Sequence, residues 1–243
     1  MRIDALKMGH RELNQSLREG IDRGENKFHL ANVTGQRYIA AGVTSRVGIT
    51  IDGVPGNDLG AFMDGPSLIV QGNGQDGIGN TMNSGMIVID GDARDLAGHS
   101  MRGGRIFIRG DVGYRVGIHM KSYEQQFPVI VVGGRAGDFT GEYMAGGVIV
   151  ILNLREPDEL PVGNLVGTGM HGGTIYLRGK PEERTMGREC KVLPLDQADH
   201  DLLRGLVDEF STHFPKSAFE YRGEEFVKLL PVSHRPYGRL YAY

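Results

Sequence analysis

Asp95-Leu-Ala-Gly98-His-Ser-Met101-Arg-Gly-Gly-Arg-Ile106-Phe-Ile108-Arg-Gly110 decides the fold, because nearly every part of it recurs along the chain at a near-fixed spacing. Its apolar triplet, Ile106 to Ile108, has equivalents starting at Ile49, Leu68, Ile87, Ile130, Ile149 and Ile175. Successive starts lie 19, 19, 19, 24, 19 and 26 residues apart. Two residues after each triplet stands Gly53, Gly72, Gly91, Gly110, Gly134 or Gly179. Asn153, which also tolerates left-handed backbone, is the one substitute. The Gly98/Met101 pair recurs as Gly60/Met63, Gly79/Met82, Gly117/Met120, Gly141/Met144 and Gly167/Met170. Three residues before these glycines come Asn57, Asp76, Asp95, Tyr114, Asp138 and Asn164, mostly side chains that close turns on their own backbone.

One such unit cannot bury its apolar face, whereas a stack of them buries a continuous column. The repeat therefore predicts an all-β fold: a right-handed, single-stranded parallel β-helix of about seven to eight coils, each of ~19 residues. Each coil is expected to be triangular, rising by about 4.7–4.9 Å, with the methionines filling one inner corner. The two long spacings mark insertions, within Lys121 to Val129 and within Leu154 to Gly163. Insertions on solenoids tend to face function, which makes Tyr123, Phe127, Glu156 and Glu159 candidate partner contacts beside the plainer reading of surface loops.

The ends depart from the repeat. Phe28 to Val33 reads as a degenerate coil with Leu30 one period before Ile49, Ala41 in the glycine position and Thr44 in the methionine position. Leu13, Leu17 and Ile21 repeat every four residues, predicting a short amphipathic helix that caps the open end of the stack. A second helix is expected over Asp196 to Phe214, again as a cap, and the tail from Phe226 to Tyr241 reads as extended chain on its own surface or a partner's. The expected organisation is a helical cap at 1–27, the β-helix at 28–180, and a helix with extended tail at 181–243.

Composition narrows the function. Glycine supplies 38 of 243 residues, more than twice an average share, and the net charge of −3 offers no electrostatic footprint for nucleic acid or an anionic membrane. No apolar run is long enough to span a membrane, and the single cysteine, Cys190, fits a reducing compartment, so a soluble cytoplasmic protein is expected.

Several motifs invite a catalytic reading. Gly72-Asn-Gly74-Gln-Asp-Gly77 spells a dinucleotide-type G-x-G-x-x-G, but another copy of the repeat follows where that fingerprint needs a helix. Cys190 lies outside the repeat and reads as a bystander thiol. His99, His119 and His171 sit at different offsets from their coil glycines and do not form a stacked ligand set. Asp90 and Arg109 follow neighbouring triplets and could pair on one sheet face, either as a solvated charge ladder or as part of an independent carbohydrate-active β-helix enzyme. No catalytic, cofactor-binding or metal-binding residue is assigned.

The G-x-x-M corners and glycine strand exits of Asp95 to Gly110 closely resemble the GXGXG domain of glutamate synthases, the C-terminal β-helical domain of the large subunit. The resemblance covers roughly Phe28 to Gly179. It implies a stand-alone, non-catalytic subunit working beside a glutamine amidotransferase subunit and a synthase subunit that carries FMN and an iron–sulfur cluster. There, ammonia from glutamine would meet a 2-oxoglutarate-derived imine that reduced FMN converts to glutamate. The chain begins without that family's amidotransferase cysteine and lacks the synthase cysteine cluster, which puts the cofactors on partner chains. The same domain type occurs in formylmethanofuran dehydrogenase and N-methylglutamate synthase-like complexes, and a homo-oligomer stays open.

Overall fold

A computed structural model of the chain describes residues 1–123 and 126–232. The outer part of the expected extended tail, 233–243, lies outside the described residues. The architecture is a parallel β-solenoid of about six turns. That is slightly fewer than the triplet count suggests, since seven stacked triplets enclose six complete turns. The strands are β1 (Arg2–Asp4), β2 (Lys27–Thr34), β3 (Gly48–Val54), β4 (Asp64–Gln71), β5 (Ser84–Ile89), β6 (Arg105–Ile108), β7 (Val129–Val132), β8 (Ala145–Ile151), β9 (Gly172–Arg178), β10 (Cys190–Leu193) and β11 (Phe226–Pro231). They form an eleven-stranded sheet in the order β1 through β9, then β11, then β10. Pairing is parallel from β1 to β9 and antiparallel where β11 and β10 are added.

Every triplet aligns as the spacing predicts: Ile49, Leu68, Ile87, Ile106, Ile130, Ile149 and Ile175 form one column of paired residues. The first coil does not. Leu30 stands opposite Ile51 rather than Ile49, because the first coil is two residues longer than the period, one of them inserted in β2 between Leu30 and Val33. The shift carries into the corner. Ala40, not Ala41, adopts the left-handed conformation of the repeat glycine, and buried Val43, not Thr44, takes the methionine position.

The corner has a conformation that the glycines alone do not reveal. In the central coil Leu96, Gly98 and Ser100 all have positive φ, at 65°, 70° and 53°. Arg115, Gly117 and His119 repeat the pattern one coil later. Alternate left-handed residues turn successive N–H groups in opposite directions along the stack. Leu96 and Ser100 donate forward, to the carbonyls of Tyr114 (2.9 Å) and Ile118 (2.8 Å), whereas Gly98 donates backward to Ile78 (2.7 Å). Since Leu96 and Ser100 manage positive φ with side chains, conformation is not what selects glycine at 98. Close approach does so: a Cβ on Gly98 would lie 2.3 Å from Cδ1 of Ile130. Met63, Met82, Met101, Met120, Met144 and Met170 fill the same inner edge and are fully buried.

The Asx residues also act differently from expectation. Rather than closing turns on their own backbone, they reach the next coil: Asp95 Oδ1 accepts the Tyr114 N–H at 2.9 Å, and Asp138 Oδ1 accepts that of Asn164 at 2.7 Å. A second ladder runs from Asn73 through Asp92 to Asp111, each accepting a backbone N–H one coil on.

Helix α1 (His10–Asp22) caps the N-terminal mouth, burying Leu13 and Leu17 in the inner core, as its stripe predicts. Asn14 and Arg18 tie it to the carbonyls of Arg37 and Ala41. The segment 1–27 is nevertheless more than a helical cap, because β1 adds a strand beside β2. Helix α2 (Gln197–His213) is not an end cap. It lies across the outer face of the sheet, where Leu203, Leu206, Val207 and Phe210 pack on Val88, Phe107, Val131, Val150 and Tyr176. The C-terminal mouth is closed instead by β10 and β11. Cys190 there takes the place of the next coil's isoleucine, its Sγ 2.8 Å from where a Cβ on Gly167 would sit. The described part of the tail is thus extended, as expected, and it pairs in cis as β11.

Two glycine substitutions separate conformation from crowding. Gly42→Ala, at φ 65° in open space, is expected to lose about 1–2 kcal/mol. Gly98→Ala, at nearly the same φ, should lose about 1–3 kcal/mol more because Ile130 must move. Urea midpoints of the two variants check the difference; equal losses would contradict the crowding account.

Candidate functional site

The corner that stacks the coils also displays side chains. Residues just before each repeat glycine, such as Leu59, Ile78 and Val116, point inward and are buried, while those two positions to either side turn outward. The outward rows include Tyr38, Leu96, Arg115, Phe139 and Leu165 on one side and Phe62, Thr81, Ser100, His119 and Tyr143 on the other. Phe62 is 57% exposed and Tyr114, one position further out, 52%. His119 stacks on Tyr143 with ring centroids 5.3 Å apart and planes 8° from parallel, and His99 lies 6.1 Å from His119. Burial, then the neighbouring His119 charge, holds the His99 pKa below its ordinary value against the pull of Asp58. Arg115 bonds Glu142 at 2.9 Å and lies over the Phe139 ring. Sequence reading misses this face, although Phe62, Phe139 and Tyr143, each two positions from a repeat glycine, are a visible signal.

The repeat glycines Gly60, Gly79, Gly98, Gly117, Gly141 and Gly167 form the spine of that face, all left-handed, with the methionines behind them. The four candidate contact residues occupy two different edges of the coil. Tyr123 and Phe127 are exposed on the first insertion, where Tyr123 and Gln126 exchange backbone hydrogen bonds. The second insertion, carrying Glu156 and Glu159, does not bulge freely but folds back along the stack. Glu156 pairs with Arg135 at 2.7 Å, the Glu159 carbonyl accepts from Asn153, and Arg155 reaches Asp92 and Asp111 of earlier coils.

This folded-back loop faces the segment that follows α2, and between them lies a groove of about 480 Å³. Its lining includes Arg109, Arg155, Arg178 and Lys216, with Leu154, Pro157 and Phe219. A neighbouring recess of about 420 Å³ shares Arg109 and Lys216. The α2 wall is anchored at its N-terminus, where Asp196 and Asp199 form a reciprocal capping box. Tyr176 donates to Asp199 at 2.6 Å, and the buried ammonium of Lys228 bonds Asp199 and, at 2.9 Å, Asp196. Burial opposes ionisation of Asp199, but hydrogen bonds from Lys228, Tyr176 and the Asp196 backbone outweigh it and hold its pKa below 3.8.

The groups with chemical potential are engaged elsewhere. Asp90 and Arg109 do pair across neighbouring coils, with each other. The Cys190 thiol is buried and points at the carbonyls of Val166 and Gly187; burial, then the Glu189 charge, pushes its pKa up to about 11, which keeps it protonated and unreactive at neutral pH. Among the described residues no group of three His, Cys, Asp or Glu side chains is placed to hold a metal ion. Nor is any described helix long and apolar enough to cross a membrane.

A family model described as the GXGXG motif matches residues 21–231. The sequence is 47% identical over 248 aligned positions to the uncharacterized protein MJ1350 of Methanocaldococcus jannaschii, covering 98% of this chain and 95% of that one. The fold is similar to a chain in the crystal structure of the formyltransferase/hydrolase complex FhcABCD from Methylorubrum extorquens with methylofuran. That likeness has a TM-score of 0.62 at 21% identity over 86% of this chain and 84% of the other.

The anchor of α2 gives two expectations. Asp199→Ala should cost about 3–5 kcal/mol in urea unfolding, because it leaves the Lys228 ammonium buried with one partner fewer. Asp199 has a depressed folded-state pKa, so its contribution is present above 3.8 and is lost as the pH falls through the lower folded value. The protection factors of α2 amides, measured against the intrinsic exchange rate at each pH, should therefore fall below about pH 4 in the native chain, and an unchanged protection pattern there would refute the assignment.

Proposed function

We propose that this chain, which belongs to the GXGXG-motif family through its match over residues 21–231, is a non-catalytic scaffold and docking subunit of a multi-chain enzyme. The carrying observation is the corner face, where a hydrogen-bonded backbone presents exposed Tyr38, Phe62, Tyr114, Tyr143 and Leu165. Rows of apolar side chains on a rigid surface are a protein-contact signature, and aromatic residues dominate such contacts energetically. Tyr123 and Phe127 would add a contact on a second edge.

The assembly we favour is of the glutamate-synthase type. A glutamine amidotransferase chain would release ammonia, and a chain with FMN and an iron–sulfur cluster would reduce the 2-oxoglutarate-derived imine. This chain would hold the two in register in the cytoplasm and carry no cofactor itself. The resemblance of the repeated G-x-x-M corners to the glutamate synthase domain supports this reading. A second reading draws on the similar fold found within a formyltransferase/hydrolase complex: the chain as the β-helical subunit of a formyl-transfer enzyme such as a formylmethanofuran dehydrogenase.

Affinity purification of the tagged chain from its own host, with mass spectrometry of what accompanies it, separates these. Recovery of an amidotransferase and a flavoprotein is the expected result, and a formyltransferase-type chain in their place would select the second reading. Replacing Phe62 and Tyr143 together by Asp should leave the thermal midpoint nearly unchanged and lower partner recovery by about tenfold or more. Recovery of neither kind of partner would sink both readings.

A further inference from the structure

The groove beside α2 is built from four cationic side chains, two of them, Arg109 and Arg178, at the same place after their triplets and two on added segments. Arg109 follows β6, Arg155 comes from the second insertion, Arg178 ends β9, and Lys216 lies in the turn after α2. Each guanidinium is held by a carboxylate: Arg109 by Asp90, Arg155 by Asp92 (2.6 Å) and Asp111 (2.9 Å), and Arg178 by Glu225 (2.5 Å). Arg109 also donates to the Asp90 carbonyl (3.3 Å) and Arg178 to those of Leu152 (3.5 Å) and Asn153 (3.4 Å), which still leaves some of the five donors of each guanidinium for a ligand. Asp92 and Asp111 also accept backbone N–H groups, so part of their charge is already engaged. Lys216 is exposed and meets no carboxylate among the described residues.

Among the described residues no carboxylate lines the groove itself, although Asp90 lines the adjoining recess together with Arg109 and Lys216. The groove is also fitted. A Cβ on Gly110 would lie 2.6 Å from Nη2 of Arg155, so only glycine there lets that guanidinium lie in place. Phe219 backs Arg178 at 4.6 Å from the ring centroid and, with Leu154 and Pro157, gives the groove an apolar side. A volume of about 480 Å³ lies in the range of small-ligand sites, which are apolar clefts with a few placed polar groups. Arginine stays charged at any physiological pH and matches carboxylate and phosphate oxygens with its planar fork.

We propose that this groove binds a small organic polyanion, a molecule carrying two or more carboxylate or phosphate groups on a short carbon frame. Arg109, Arg155, Arg178 and Lys216 receive its oxygens, and the Phe219 side contacts its carbon. The site lies wholly within this chain and requires none of the partners discussed above.

Titration calorimetry of the full chain at low ionic strength tests it, with citrate as the carboxylate probe and pyrophosphate as the phosphate probe. One-site binding of at least one of them, with a dissociation constant below about 1 mM, is expected, and the tighter arm identifies the source of the oxygens. Lys216→Glu, at an exposed position that leaves the fold intact, should weaken binding about tenfold or more, while Lys7→Glu makes the same charge change outside the groove and should preserve it. No saturable heat from either probe up to about 10 mM would overturn the proposal. So would equal weakening by the two variants, which would show unlocalised attraction, or binding of a hexaglutamate peptide when neither small anion binds.

Discussion

Everything in this molecule depends on one requirement: each coil must hydrogen-bond to the coil above and the coil below at its tightest corner. A buried backbone donor left without a partner costs about 1–3 kcal/mol, and the corner would strand several of them in every turn. Alternating left-handed residues solve this by directing successive N–H groups up and down the stack, as at Leu96, Gly98 and Ser100. A side chain in that conformation costs roughly 1–2 kcal/mol, so the balance is close for any one residue. It is tipped by what the corner makes possible, the continuous inner column of isoleucine and methionine.

The column in turn explains why the end pieces look as they do. A stack closed only by itself has two open mouths, and each is filled by whatever can reach the last layer. At the N-terminal mouth Leu13 and Leu17 of α1 serve. At the other mouth Cys190 stands where another coil would have placed an isoleucine, its thiol acting as a small apolar group. The same substitution accounts for its lack of reactivity, since a thiol buried to fill a layer is also a thiol kept protonated.

The repeat was legible because its period is imposed by this stacking: the triplet register from Ile49 to Ile175, both insertions and both helices can be read from spacing alone. What could not be read is whatever departs from period. The first coil is two residues longer than the period, one of them at the irregularity in β2, so Leu30 stands opposite Ile51 and Ala40 takes the glycine position; on its outer side it pairs only with the three-residue β1. Strands β10 and β11 are antiparallel additions of short apolar runs, Cys190 to Leu193 and Phe226 to Pro231, whose pairing exists only through tertiary contact. The placement of α2 does have a signal in the sequence. The middle residues of the triplets run Thr50, Ile69, Val88, Phe107, Val131, Val150 and Tyr176, and a sheet whose outward residues become steadily apolar needs a cover. Half of the cationic groove has one as well, since Arg109 and Arg178 follow their triplets at the same offset, whereas Arg155 and Lys216 lie on added segments that only tertiary contact brings there.

That contrast bears on where function can reside. A solenoid repeats its surface as well as its core, so a side chain that sets one place apart from its neighbours must come from an irregular position or an appended element. Both special surfaces here obey this. The corner face is regular in backbone and irregular only in which outward residues are aromatic, which suits broad contact with a partner of matching shape. The groove is formed where an insertion and the chain beyond α2 lean over the edge of the sheet, and the Arg155 guanidinium in it is fixed by the ladder of aspartates that the repeat itself supplies. The coil thus contributes rigidity, pre-positioned acids and two of the cations, Arg109 and Arg178, while the added segments contribute Arg155 and Lys216, a division that lets one scaffold hold a specific site without disturbing the stacking that keeps it folded.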